Sequence, residues 1–168
     1  MKMTMKFYFN CDFEEFKKYY EMTYGKLEEL EEKLAKQVPS RLIVWRDKKE
    51  IIGHAFWHES NTREHRRGDP RDEIDSKLLR TLIGSDKEFI ELHMVWLKEE
   101  HRGKGYGWKF FAFFENLIAK KDFDSIIYYT DHPAAIHICR KHGYRENYGF
   151  PLEDKAYFIF YLPLKKYK

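Results

Sequence analysis

This chain of 168 residues has few cysteines, one glutamine and no long apolar run. Cys11 and Cys139 cannot form the disulfide framework of a small secreted domain, so the sequence reads as a cytoplasmic protein with free thiols. No apolar stretch approaches the roughly 18–20 residues of a membrane span, so no membrane partner is expected. The first ten residues are too short and mixed for a secretory leader. Charge of one sign is lacking too: 31 basic and 28 acidic side chains leave +3, with no concentrated basic face for nucleic acid. Gln37 is the sole glutamine, while lysine and glutamate abound, which is a thermophile-like bias. It describes habitat rather than chemistry. No C-x-x-C or H-E-x-x-H occurs and the eight histidines lack ligand spacing, so no metal is expected.

What the chain does have is aromatic residues, at 18% of the total, which argues against disorder. Its length suits one domain, 1–168. Periodicity predicts a strand at Met3–Phe9 and a helical stretch at Glu14–Lys36, with Gly25 as a point where it splits. One face of that stretch would hold Phe16, Tyr19, Tyr20, Thr23, Tyr24, Leu27, Leu30 and Leu34. Two strands, Arg41–Arg46 and Ile51–His58, flank a hairpin turn. A polar insertion, 59–87, follows, with seven basic and seven acidic residues. It contains a helix capped by Asp69, begun by Pro70 and packed through Ile74, Leu78, Leu79 and Leu82. Strands at Glu88–Leu97, Ser125–Thr130 and Lys155–Leu162 alternate with helices at Gly105–Lys121 and Pro133–His142. This is α/β layering.

The most informative segment is Arg102-Gly103-Lys104-Gly105-Tyr106-Gly107, between a strand and a helix. Alternate glycines let the backbone turn with positive φ and come close to a ligand. Free N–H groups at a helix N-terminus favour an anion, and Arg102 and Lys104 add positive charge. A phosphate or pyrophosphate is the natural guest. The spacing fits neither the dinucleotide fingerprint nor the P-loop.

That loop resembles the acyl-coenzyme A pyrophosphate loop, [QR]-x-x-G-x-[GA], of the GNAT-superfamily N-acetyltransferases. The segment Ala135–Tyr144 is similar to the family's second motif, A-x-x-L-Y-x-x-x-G-F. The resemblance implies a GNAT acyltransferase fold. This is a mixed central sheet of about six to seven strands flanked by helices, here with a helical insertion between the third and fourth strands. It further implies acetyl-coenzyme A as acyl donor and a small-molecule or protein amine as acceptor. Dimers are frequent in such enzymes, and a homodimer stays open.

Carried over residue by residue, the resemblance gives cofactor-binding roles to Val95 and Leu97 on the strand and to Arg102, Gly103, Lys104, Gly105, Tyr106 and Gly107 in the loop. His132 stands where the family usually has asparagine. Glu91 and His93, eleven and nine residues before Arg102, occupy positions where some members carry a general base. An alkylamine arrives protonated near pH 7, so a proton must be accepted before attack. Histidine has the better ordinary pKa for that task, whereas a glutamate needs burial to raise it. The common tyrosine proton donor is replaced by Cys139, which could donate itself, as could Tyr144 or a water; a small buried cysteine is the plainer reading. The competing function is a non-catalytic acyl-coenzyme A sensor or scaffold. The insertion is expected to cap or border the acceptor site, and Arg63, Arg66 and Arg67 read as a solvated loop.

Overall fold

The computed structural model describes residues 5–63, 72–152 and 155–164. Among the described residues, seven strands and five α-helices follow in the order β1 (Met5–Tyr8), α1 (Phe13–Thr23), α2 (Glu29–Lys36), β2 (Leu42–Asp47), β3 (Glu50–Asn61), α3 (Asp72–Ile83), β4 (Glu88–Leu97), α4 (Tyr106–Ala119), β5 (Ser125–Thr130), α5 (Pro133–Lys141), β6 (Arg145–Leu152) and β7 (Lys155–Pro163). The sheet order is β1-β2-β3-β4-β5-β7-β6. The expected mixed α/β architecture, with a helix between the third and fourth strands, is present.

Two compact units make up the chain. The first joins Met1–His58 to Leu92–Phe110. Asp12 opens α1, its Oδ2 accepting the Glu15 N–H at 2.9 Å. Phe16, Tyr19 and Tyr20 face inward and pack with Leu27, Leu34, Leu42, Val44 and Phe56. Helix α2 begins only at Glu29, so the two helices do not share one phase. Tyr24 and Leu30, both expected on the inner face, are 46% and 45% exposed, and Glu31 is buried where Leu30 was expected. Strands β2 and β3 join through Lys48 and Lys49, with Lys48 at φ 58. At Gly53 a Cβ would lie 2.7 Å from the Trp96 carbonyl oxygen and 3.1 Å from the Trp45 ring. Phe110, in the first turns of α4, stacks on Trp45 at 4.8 Å and meets Phe7 edge-on at 5.7 Å. That aromatic anchor fixes the helix end that follows the glycine loop.

The second unit joins Glu59–Glu91 to Phe111–Lys168. The base of the insertion is closed by Thr62, whose N–H donates to Lys87 O at 2.9 Å and whose Oγ1 accepts the Lys87 N–H at 3.0 Å. Arg63 is exposed, as expected of a solvated loop, and pairs there with Asp86. Leu79, fully buried, packs with Phe89, Ile127 and Ile159, joined by Leu78, Leu82 and Ile83. Helix α3 is therefore part of a core. Asp69, Pro70, Arg66 and Arg67 lie outside the described residues. Leu79→Ala should cost about 2–5 kcal/mol, as large-to-small core changes do; urea denaturation measures it, and a cost under about 0.5 kcal/mol would mean that α3 is a detachable lid.

Strand β6 has no counterpart among the predicted elements. It pairs antiparallel with β7 at the edge of the sheet, with a register shift between Tyr148 and Pro151. A proline is tolerated in an edge strand, where its missing N–H can fall on the solvent side.

Candidate active site

In the first unit, β4 runs out through Val95 and Leu97 into a 3-10 turn, Glu99–His101, and then the glycine loop. Gly103 and Gly105 have φ of 79° and 82°, and a Cβ at either would meet nothing within 4 Å. Backbone conformation, not crowding, calls for glycine there. The Gly105 carbonyl accepts the Lys109 N–H at 3.2 Å, which starts α4. The N–H groups of the first turn have no partner within their own helix and make the helix end an anion site. Gly107 lies within α4 and has no positive φ. Tyr106 is buried, whereas Lys104 is exposed. The Arg102 side chain bends back, its Nε donating to Leu97 O at 2.9 Å with the guanidinium 5.8 Å from the Trp96 ring centroid. It ties the loop to the end of β4.

His93, on the same strand, bonds through Nε2 to Glu31 Oε1 of α2 at 3.0 Å. That hydrogen bond holds the Glu31 carboxyl below the ordinary range, against the opposing effect of burial. Its ring centroid lies 5.6 Å from that of His58. Next to it, Met94 Sδ sits 3.1 Å from His54 Nε2, and His54 Nδ1 lies 3.0 Å from the Tyr19 hydroxyl. The Tyr20 hydroxyl of α1 also donates to Met94 Sδ at 3.9 Å, so consecutive residues of β4 both contact the α1–α2 layer, which strict pleat alternation does not produce.

Burial drives the Tyr19 phenol well above its usual range, so it keeps its proton and donates to Nδ1. The His54 proton then sits on Nε2, facing Met94. Burial also pushes His54 down to about 3, so it stays neutral. The unfolded chain protonates that imidazole near pH 6.5 while the folded one resists. Stability from this group is therefore complete above pH 6.5 and declines as pH falls toward 3, by about 1.4 kcal/mol per pH unit. Urea unfolding across that range should show a shallower slope for His54→Phe than for the wild type. Parallel slopes would assign the acid sensitivity to other groups.

The other predicted residues belong to the second unit. Glu91 is 4% exposed. His132 opens α5, its Nδ1 accepting the Ala134 N–H at 3.3 Å, the capping bond an asparagine would make. Cys139 is completely buried, and burial, followed by the charge of Glu115, raises its thiol well above the ordinary value. Tyr144 donates to Glu115 Oε2 at 3.1 Å, and His142 Nδ1 lies 2.9 Å from both oxygens of that carboxylate. Burial raises the Glu115 carboxyl despite these partners. Among the described residues no cluster of three or more histidine, cysteine, aspartate or glutamate side chains could hold a metal ion. No helix among them is long and apolar enough to cross a membrane.

The sequence reading put the glycine loop between a strand and a helix, where the structure has it, and connected neither Glu31 to His93 nor Tyr19 to His54. The available signal was Leu27-x3-Glu31-x2-Leu34, where a glutamate interrupts an apolar stripe.

The family model described as acetyltransferase (GNAT) family matches residues 5–144. Among solved structures, the NatC complex bound to Gag peptide and CoA is similar at TM-score 0.68 and 16% identity, over 97% of this chain and 100% of that one. Drosophila melanogaster polyamine N-acetyltransferase, which forms N-acetylagmatine, aligns at TM-score 0.68 and 10% identity, over 95% and 100%. Arabidopsis thaliana NAA60 in complex with acetyl-CoA aligns at 0.65 and 12%, over 96% and 100%. At these identities the likeness is one of fold. No curated protein matches the sequence.

Proposed function

We propose a specific reaction from one premise: this chain belongs to the GNAT acetyltransferase family. It is an acetyltransferase, and acetyl-coenzyme A is its acyl donor. The finer reading is N-acetylation of a primary amine, of a small molecule or a protein, by direct attack on the thioester. The observation that carries it is the loop with Gly103 and Gly105 at positive φ, opening α4 directly after the strand that bears His93. Amides of residues 102–107 hold the pyrophosphate, and the backbone of Val95 and Leu97 pairs with the pantetheine arm. His132 caps α5 and so holds the start of that helix.

His93 and Glu91 are the two bases to weigh, and the Glu31 hydrogen bond favours His93. The bond keeps a proton on Nε2 and leaves Nδ1 as the basic nitrogen. The ammonium gives one proton to Nδ1, directly or through water. The amine nitrogen then bonds to the thioester carbon, the C–S bond breaks, and the coenzyme A thiolate leaves. The second nitrogen proton goes to solvent or to that thiolate. A thiolate of ordinary pKa, about 8.5, leaves with little assistance.

Burial argues against Cys139 as the acid. Cys139→Ala should keep kcat within about threefold, whereas loss of a working general acid costs about 10²–10⁴-fold. A loss in that range would restore Cys139 to the chemistry.

Calorimetric titration with acetyl-coenzyme A, for the wild type and Gly105→Glu, followed by a screen of amines, tests the whole reading. Micromolar binding with acetylation of an amine is expected. Binding without turnover on any amine would favour the sensor or scaffold. No binding would remove both.

A further inference from the structure

Glu31 sits where the pattern of α2 calls for an apolar residue. Leu27, Glu31 and Leu34 form one buried stripe, and Glu31 is only 7% exposed. Its Oε1 is taken by His93 Nε2. Its Oε2 is buried and receives no hydrogen bond from any described residue. Burying a carboxylate with one oxygen open destabilises a fold, and a leucine would suit the stripe better. An open acceptor at that depth is one that a donor from outside the chain would satisfy.

The surroundings define what that is. Leu27 and Leu34, on either side of Glu31, pack in one cluster with Tyr20, whose ring lies 5.2 Å from that of His54. Those two rings belong to an aromatic cluster: Tyr20 lies 4.9 Å from Tyr24, and Tyr24 lies 5.6 Å from His54 and 5.8 Å from Trp96. His54 is neutral, so it does not neutralise the carboxylate. No lysine or arginine pairs with Glu31 among the described residues. A carboxylate oxygen beside aromatic faces attracts an organic cation, through a charge-assisted hydrogen bond and through the ring quadrupoles.

We propose that Glu31 anchors the acceptor in its ammonium form through Oε2, so that this enzyme selects cationic alkylamines over amines or alcohols that are neutral at the same pH. Calling the ligand an acceptor rests on the acetyl-transfer reading; the cation site itself does not. One carboxylate then has two tasks: Oε1 fixes the His93 tautomer, and Oε2 holds the ammonium N–H.

The test uses the full chain labelled with 15N-histidine, without any acyl donor. Butylammonium chloride is titrated against 1-butanol, with sodium chloride at matched ionic strength, in the wild type, Glu31→Gln and Glu31→Leu. The His93 imidazole signal should shift saturably with butylammonium, and respond at least about tenfold more weakly to butanol, as loss of one charged hydrogen bond implies. Both variants should lose the butylammonium response, while the Tm of Glu31→Leu stays at or above that of the wild type. An equal response to butanol would overturn the proposal, as would no response in the wild type. So would Glu31→Leu melting lower yet still binding butylammonium, which is the behaviour of a purely structural ion pair. Should Glu31→Leu not fold, Glu31→Gln decides alone. Acetyl-coenzyme A calorimetry reads the acetyl-transfer premise separately, so the failure of one leaves the other visible.

Discussion

Gly105→Glu is expected to weaken acetyl-coenzyme A binding by at least about 100-fold, the equivalent of about 2.7 kcal/mol. Two effects act together. A non-glycine residue at φ 82° is held in the left-handed region, at a cost of about 1–2 kcal/mol. The new carboxylate also places negative charge among the amides that would receive the pyrophosphate. Because a Cβ at Gly105 meets nothing within 4 Å, the substitution should spare the fold. Gly105→Ala separates the two effects, since it keeps the backbone cost without the charge. Calorimetry on the three proteins, with circular dichroism melts alongside, reads the result. Micromolar affinity retained by Gly105→Glu would move the phosphate away from this loop.

The second large effect is expected at His93. His93→Ala should lower kcat about 10²–10⁴-fold, the span of a general base, while leaving the donor's Kd within about twofold. The rate of the variant should rise with pH across the alkaline range, because the acceptor must then lose its proton to solvent. Glu91→Gln is the matched control. If Glu91→Gln causes the collapse and His93→Ala does not, the base is the buried glutamate and the Glu31–His93 pair serves binding alone. Stopped assays from pH 6 to 10 distinguish the two.

How much of this was legible beforehand varies element by element. The bounds of β4 and β5 fall where alternation and apolar runs put them, because buried strands leave little freedom of pattern. The glycine loop was readable because its conformation needs a particular residue. Strand β6 was not, since Gly149 and Pro151 interrupt it and an edge position suppresses the usual apolar signal. The stripe through Leu30 failed because a single helical phase was carried across Gly25, whereas α2 starts afresh at Glu29. Glu31 lies four residues after Leu27 and three before Leu34, so the spacing put it near the inner face, and its charge alone kept it out of the expected core.

The close approach at Gly53 bears on descent. Every single-base change in a glycine codon that alters the residue adds a Cβ. Here the Cβ would collide with the backbone oxygen of Trp96, three residues beyond His93 and next to Val95 and Leu97. No small mutational step exists at that codon: each one either shifts the strand that bears His93 or is removed by selection. Among close relatives that keep the activity, position 53 should therefore be fixed as glycine while its neighbours on β3 drift. A lineage that tolerates a side chain there should also have lost the histidine at position 93.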